Sequence, residues 1–250
     1  MRAIRGFCAG MLVGGAVLAG CKSNPETGAV TSKANGKTTT APASDAVEAR
    51  DKALVRVINA SPADPTLNIY AGDSAAFSGV AFKQATPYRE IPDNLFDFQI
   101  KGAANAEPLA QNRENLHDGG HYTIVALPDQ GGADKRNLRV LNDDLKPVPA
   151  DKARVRFING VASDTDVDLY ITGRKDALVD GVNFKSEAGW NEFDPMTGTL
   201  TVRPDNGQAQ LATLSNVKLE GGKSYTFVLT GKHGKLQILK IEDDVAADRS

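Results

Sequence analysis

The chain has 250 residues, 41% hydrophobic and 24% charged, with 29 basic and 31 acidic side chains for a formal charge of −2. So even a balance leaves no electrostatic footprint for nucleic acid or for an anionic lipid surface. Two cysteines and three histidines leave little material for a disulfide framework, a metal centre or a nucleophile with its base.

Arg2 and Arg5 precede an apolar run from Phe7 to Leu18, shorter than the roughly 20 residues that span a bilayer and within the range of a signal-peptide core. The run closes on Leu18-Ala19-Gly20-Cys21. It resembles a bacterial lipoprotein leader, whose pattern is Leu, two small residues, then Cys. That resemblance implies cleavage after Gly20, a diacylglycerol on the Cys21 sulfur and an acyl group on its freed amine. An ordinary secretory signal with a chance cysteine is the alternative. Lys22 follows the cysteine where an Asp marks inner-membrane retention, so the resemblance favours the outer membrane, on its periplasmic side or at the cell surface. Losing residues 1–20 removes Arg2, Arg5 and no acid, taking the formal charge from −2 to −4. Cys8 leaves with the leader, and Cys21 alone cannot form a disulfide within the chain.

Residues 21–52 are rich in Ser, Thr, Ala, Gly, Asn and Lys, with Val30 and Val47 as the sizeable hydrophobes. That composition buries too little to offset its ordering entropy and predicts a flexible tether behind the lipid; a first strand hidden in it is the alternative.

An internal repeat follows. Val55-Arg56-Val57-Ile58-Asn59 answers Val155-Arg156-Phe157-Ile158-Asn159, and Leu67-Asn68-Ile69-Tyr70 answers Val167-Asp168-Leu169-Tyr170. Gly79-Val80-Ala81-Phe82 matches Gly181-Val182-Asn183-Phe184, and Leu116 to Thr123 matches Leu219 to Thr226. At the end, Leu138-Arg139-Val140-Leu141 is set against Leu236-Gln237-Ile238-Leu239. The period is too long for a solenoid unit, so the copies read as domains over 53–148 and 149–246. Lys146-Pro147-Val148-Pro149-Ala150 joins them as a stiff, extended link.

Inside each copy the hydrophobic period is two. Val55 and Val57 point one way and Arg56 the other; Val155 and Phe157 repeat this with Arg154 and Arg156 outside. Phe96, Phe98 and Ile100 alternate with polar residues, as do Leu200 and Val202, and turns such as Asp118-Gly119-Gly120 and Glu220-Gly221-Gly222 separate the runs. About seven short strands per copy predict an all-β chain of two tandem antiparallel β-sandwiches, with a barrel as the other solution. Each copy holds enough strands to be expected to fold alone.

The opening Val55-Arg56-Val57-Ile58-Asn59-Ala60-Ser61-Pro62, the strand ending in Tyr70, Gly79-Val80-Ala81-Phe82 and Gly119-Gly120-His121-Tyr122-Thr123 resemble the bacterial domain of unknown function numbered 4397. The resemblance covers residues 52–244 and implies tandem Ig-like sandwiches in an exported lipoprotein, with no activity attached. The loop Ser61-Pro62-Ala63-Asp64-Pro65 departs from the family's Ser-Pro-Asp-Ala-Pro, and the second copy, Val161-Ala162-Ser163-Asp164-Thr165, has lost both prolines.

The search for chemistry finds few candidates. His117 and His121 flank a turn, His233 lies in another, and the repeat counterparts of the first two are Glu220 and Ser224, which favours turn residues over catalysis. Asp164-Thr165-Asp166-Val167-Asp168 opens like a calcium loop, but Leu169 and Lys175 stand where an EF-hand needs Gly and Glu; a solvated turn entering a strand is preferred. Asp143-Asp144 and Asp243-Asp244 recur after each last strand and read as caps. Tyr88 and the single tryptophan, Trp190, correspond through the repeat, and Trp190 is expected in a core. The sequon Asn59-Ala60-Ser61 has no bearing in a bacterial lipoprotein. No cofactor is expected, and no catalytic or metal-binding residue is assigned. The reading is a lipid-anchored envelope protein of binding, structural or display type, partnered by the membrane and by an envelope protein or glycan. The alternative is a carbohydrate- or peptidoglycan-active enzyme, which two carboxylates converging at the junction of the repeats would favour.

Overall fold

The computed structural model describes residues 52–243 apart from 104–105, 130–131, 144, 162–165, 206 and 233. The leader, Cys21, the tether before Lys52, His233, Asp144 and Asp244 lie outside the described residues. All regular structure described is β, and no described helix is long and apolar enough to cross a membrane.

The first repeat places β1 (Lys52–Asn59), β4 (Arg89–Pro92), β7 (His121–Asp129) and β8 (Gly132–Asn142) in a front sheet of order β4-β1-β7-β8. Its back sheet orders β2 (Thr66–Ala71), β3 (Ser74–Ala81), β5 (Leu95–Ile100) and β6 (Ala110–Asn115) as β3-β2-β5-β6. The second repeat copies both. Its front sheet is β12-β9-β15-β16, from β9 (Ala153–Asn159), β12 (Glu187–Phe193), β15 (Ser224–Lys232) and β16 (Lys235–Asp243). Its back sheet is β11-β10-β13-β14, from β10 (Val167–Ile171), β11 (Val179–Val182), β13 (Met196–Pro204) and β14 (Ala212–Leu219).

Each repeat thus has eight strands where about seven were expected. The four-residue β4 and β11 are too short to display an alternation. A second departure is one parallel pair in each sandwich, β1 with β7 and β9 with β15, where the sequence predicted antiparallel pairing. Side-chain alternation reports a strand's faces and not its direction. β9 is buried at every position, and burial on both faces suits parallel neighbours.

The registers correct one repeat match. Ala126 pairs with Leu138, and its counterpart Leu229 pairs with Ile238. Leu138 therefore answers Ile238, not Leu236. A slip of two residues leaves every side chain on the same face, so the pattern could not reveal it.

Val55, Val57, Ile69, Phe98 and Ile124 centre the first core; Val155, Phe157, Leu169, Leu200 and Phe227 centre the second. A third apolar cluster joins Ile58, Val125, Leu127 and Leu141 of the first front sheet to Ile158, Val228, Leu239 and Ile241 of the second. The outward faces of the two front sheets therefore meet, and both sandwiches belong to one compact unit.

Candidate functional site at the junction of the repeats

The meeting faces carry the densest group of charged side chains in the interior. Arg56 and Arg156 do point away from their own sandwiches, as the alternation predicts, but both are buried, as is Arg154. The expectation that they lie outside is corrected: the second repeat covers what the first leaves outward. Arg56 Nη2 donates to Asp243 Oδ1 of the other repeat. Arg156 Nη1 stands 2.7 Å from Asp143 Oδ1 of the first, an ion-pair contact off the hydrogen-bond line. The Asp143 and Asp243 side chains have 0% of their surface exposed.

Hydroxyl groups complete each half. Thr123 Oγ1 donates to Asp143 Oδ2 at 2.5 Å and accepts from Arg56 Nε at 2.8 Å. Thr226 Oγ1 donates to Asp243 Oδ2 at 2.8 Å and accepts from Arg156 Nε at 3.2 Å. The Tyr88 hydroxyl also donates to Asp143 Oδ2, at 2.8 Å.

Burial pushes the Asp243 carboxyl up, with Arg56 and Arg156 pulling it back. Burial also works against the charge of Arg56, but Asp243, Tyr88 and Asp143 more than offset it and raise its pKa. The Tyr88 hydroxyl is raised well above its usual range by burial and by the charge of Asp143.

Two aromatic rings roof the guanidinium groups. Tyr88 lies 4.8 Å from Arg56 and Trp190 4.5 Å from Arg156, within cation–π reach. Trp190 also carries Arg154 at 4.9 Å. The core position expected for Trp190 is therefore corrected: it is half-buried on the outward face of edge strand β12 and absent from the second core.

Other recurring residues hold the frame. Asn59 is wholly buried; its amide donates to the carbonyls of Asp64 and Val80, and its oxygen accepts from the Ser61 amide. Asn159 repeats this with Val182 and Val161. Asn68 and Asp168 each accept the amide of a left-handed glycine, Gly79 at φ 66° and Gly181 at φ 64°. Tyr122 and Tyr225 accept the amides of His117 and Glu220, a tie like the tyrosine corner of Ig-type sandwiches.

A family described as "Domain of unknown function (DUF4397)" matches residues 53–170 and 156–250. The chain belongs to this family. The motif Val-Arg-Val-x-Asn of DUF4397, read on this chain, supplies two core residues, a junction cation and the buried Asn59 that ties down the next loop. Comparison with curated proteins found no match. Among solved structures, the C-terminal domain of AlgF from P. aeruginosa is 26% identical, covering 37% of this chain and 99% of that one, with TM-score 0.30. A structure titled for alpha-glucan binding by a streptococcal virulence factor is 11% identical, covering 74% of this chain and 95% of the other, with TM-score 0.24.

The structure disperses the remaining sequence candidates. His117 is exposed in its turn, while His121 lies edge-on to Tyr88 with ring centroids 5.8 Å apart. Glu220, the counterpart of His117, is held at about 2 by hydrogen bonds from Lys218 and Lys223. Asp168 stands on β10, the strand expected for it, where it is buried and bonded to Gly181 and Tyr170; Asp164 and Thr165, in the turn read as solvated, lie outside the described residues. No group of three or more His, Cys, Asp or Glu among the described residues is arranged to hold a metal ion.

Asp143 and Asp243 are the recurrent acids read as caps; each in fact crosses the junction. Sequence reasoning missed Glu187, whose Oε2 lies 3.6 Å from Arg156 Nη1 and whose carboxyl is pushed up by burial, partly opposed by Arg156. It also missed Asp64, which is buried and grips Arg136 through both oxygens at 2.9–3.0 Å. That pair explains why the departing loop carries an acid at its fourth position.

Proposed function

We propose that the chain is a lipid-anchored protein of the bacterial cell envelope, held through Cys21 after cleavage behind Gly20, whose paired sandwiches bind, brace or display without catalysis. The outer membrane is the favoured membrane, and an envelope protein or glycan is the partner class. No nucleic acid is involved.

The observation that carries the non-catalytic reading is the junction. Carboxylates do converge there, the arrangement that would favour a glycan-cleaving enzyme. Such an enzyme needs its two carboxyl groups on either side of a bound sugar. Asp143 and Asp243 instead have no exposed side-chain surface, and each is held by a guanidinium and a threonine hydroxyl. A substrate would have to pull the sandwiches apart to reach them. Their chemistry is spent on cohesion.

Two measurements test this. Fractionation and N-terminal mass spectrometry of wild type and Cys21→Ala should show lipid on the first and release or stalled processing of the second. An unlipidated wild type, with a variant still wholly membrane-bound, would refute the anchor. Residues 22–250 incubated with sacculi and crosslinked envelopes should be retained without releasing soluble sugar or peptide; turnover would replace the binding reading with the enzymatic one.

A further inference from the structure

The junction contacts come in pairs related by the repeat. Arg56–Asp243 and Arg156–Asp143 are the same contact made in both directions, as across a two-fold interface between identical subunits. Symmetry alone would let any two repeats pair. Two positions break it.

The first is steric. Leu127 packs against Gly160, where a Cβ would stand 2.8 Å from Leu127 Cδ2 and 2.7 Å from the Leu229 carbonyl. At the equivalent contact the residues are Thr230 and Ala60, and the Thr230 hydroxyl donates to the Ala60 carbonyl. A large side chain meets a glycine on one side, and a smaller one meets alanine on the other. The second is electrostatic. Lys185 Nζ lies 2.8 Å from Asp129 Oδ1, whereas the register makes Lys83 and Lys232 the counterparts, two cations.

We propose that each front-sheet face selects the other repeat over its own kind, so that pairing survives without the covalent joint. Two first repeats would gain Lys83 opposite Asp129, but would force Leu127 onto Ala60 twice. Two second repeats would set Lys185 against Lys232 twice and leave Thr230 facing Gly160 without the fit that Ala60 gives it.

The test uses residues 22–250 with a protease site inserted between Pro147 and Val148, purified whole and then cut. Light scattering should show the cut protein as one 1:1 assembly. Native mass spectrometry after mixing with a heavy-isotope copy should show unlike pairs only. Asp243→Arg should weaken the cut assembly about 100-fold or more, equivalent to roughly 3 kcal/mol, and adding Arg56→Asp should restore it. Separation into folded monomers, like pairs as abundant as unlike ones, or unfolding on cutting would each overturn the proposal.

Discussion

Asp243→Ala is the most informative single change at the junction. It removes the carboxylate that accepts from Arg56 and Thr226 and strands a guanidinium whose side chain is 4% exposed. Breaking one partner out of a buried ion pair costs about 3–5 kcal/mol, because the other charge stays desolvated. Asp143→Ala should cost less, since Arg156 retains Glu187 at 3.6 Å. Arg56 has no counterpart of Glu187, since Ile58 pairs with Ala85 where Ile158 pairs with Glu187; it keeps the Thr123 hydroxyl and the charge of Asp143. For a folded part of this size, each kcal/mol lowers the melting temperature by about 2–4 °C, so Asp243→Ala should lose roughly 6–20 °C. Urea and thermal melts of residues 22–250 measure this. Arg56→Met with Asp243→Leu removes both charges and should recover most of the loss, because a buried pair costs about as much to desolvate as it returns. A single variant that melts like a surface control such as Arg113→Ala would refute the reasoning. So would a double variant as unstable as the single.

Tyr88→Phe deletes a hydrogen bond to a charged, buried acceptor and should cost about 1.5–3 kcal/mol, read by the same melts. The raised Tyr88 pKa adds that the stabilisation is complete below the ordinary tyrosine range near pH 10 and is lost as pH rises above it; a flat alkaline profile would contradict this. Burial raises the Glu187 pKa, so its folded form binds a proton more readily than its unfolded form and stability rises as pH falls through the folded pKa to the ordinary glutamate range. Glu187→Gln should therefore raise the melting temperature at pH 7–8, with the gain fading near pH 4; a lower melting temperature at pH 7 would show that the contact with Arg156 outweighs burial. Gly160→Ala presses a methyl on Leu127 and the Leu229 carbonyl and should cost about 1–3 kcal/mol by overpacking. Adding Leu127→Thr imitates the Ala60–Thr230 contact and should recover part of it. No recovery would place the strain in the backbone alone.

Independent folding of the two repeats, expected from their full sets of strands, now has a specific cost. Separated, the first repeat would expose Ile58, Val125, Leu127 and Leu141 together with Arg56 and Asp143. Leu141 and Asp143 looked like an ordinary strand end and cap in the sequence. Nothing along the chain marks that the face they share is covered.

The sequence by itself determined what depends on near neighbours. Alternation at Val55, Val57, Phe98 and Leu200 set which side chains enter a core, because consecutive residues of a strand point to opposite faces. Glycines at the turns set where strands stop, and the repeat showed that one fold is built twice. Strand direction, the register of the last strand and the fate of the outward face depend on partners far apart in the chain. β1 and β7 lie parallel, Leu138 answers Ile238, and Arg56 finds Asp243 across 187 residues. An arginine alternating with valines reads as solvent-facing wherever it stands. Only the second sandwich, laid over the first, turns that solvent face into an interior where each guanidinium needs a carboxylate of the other repeat.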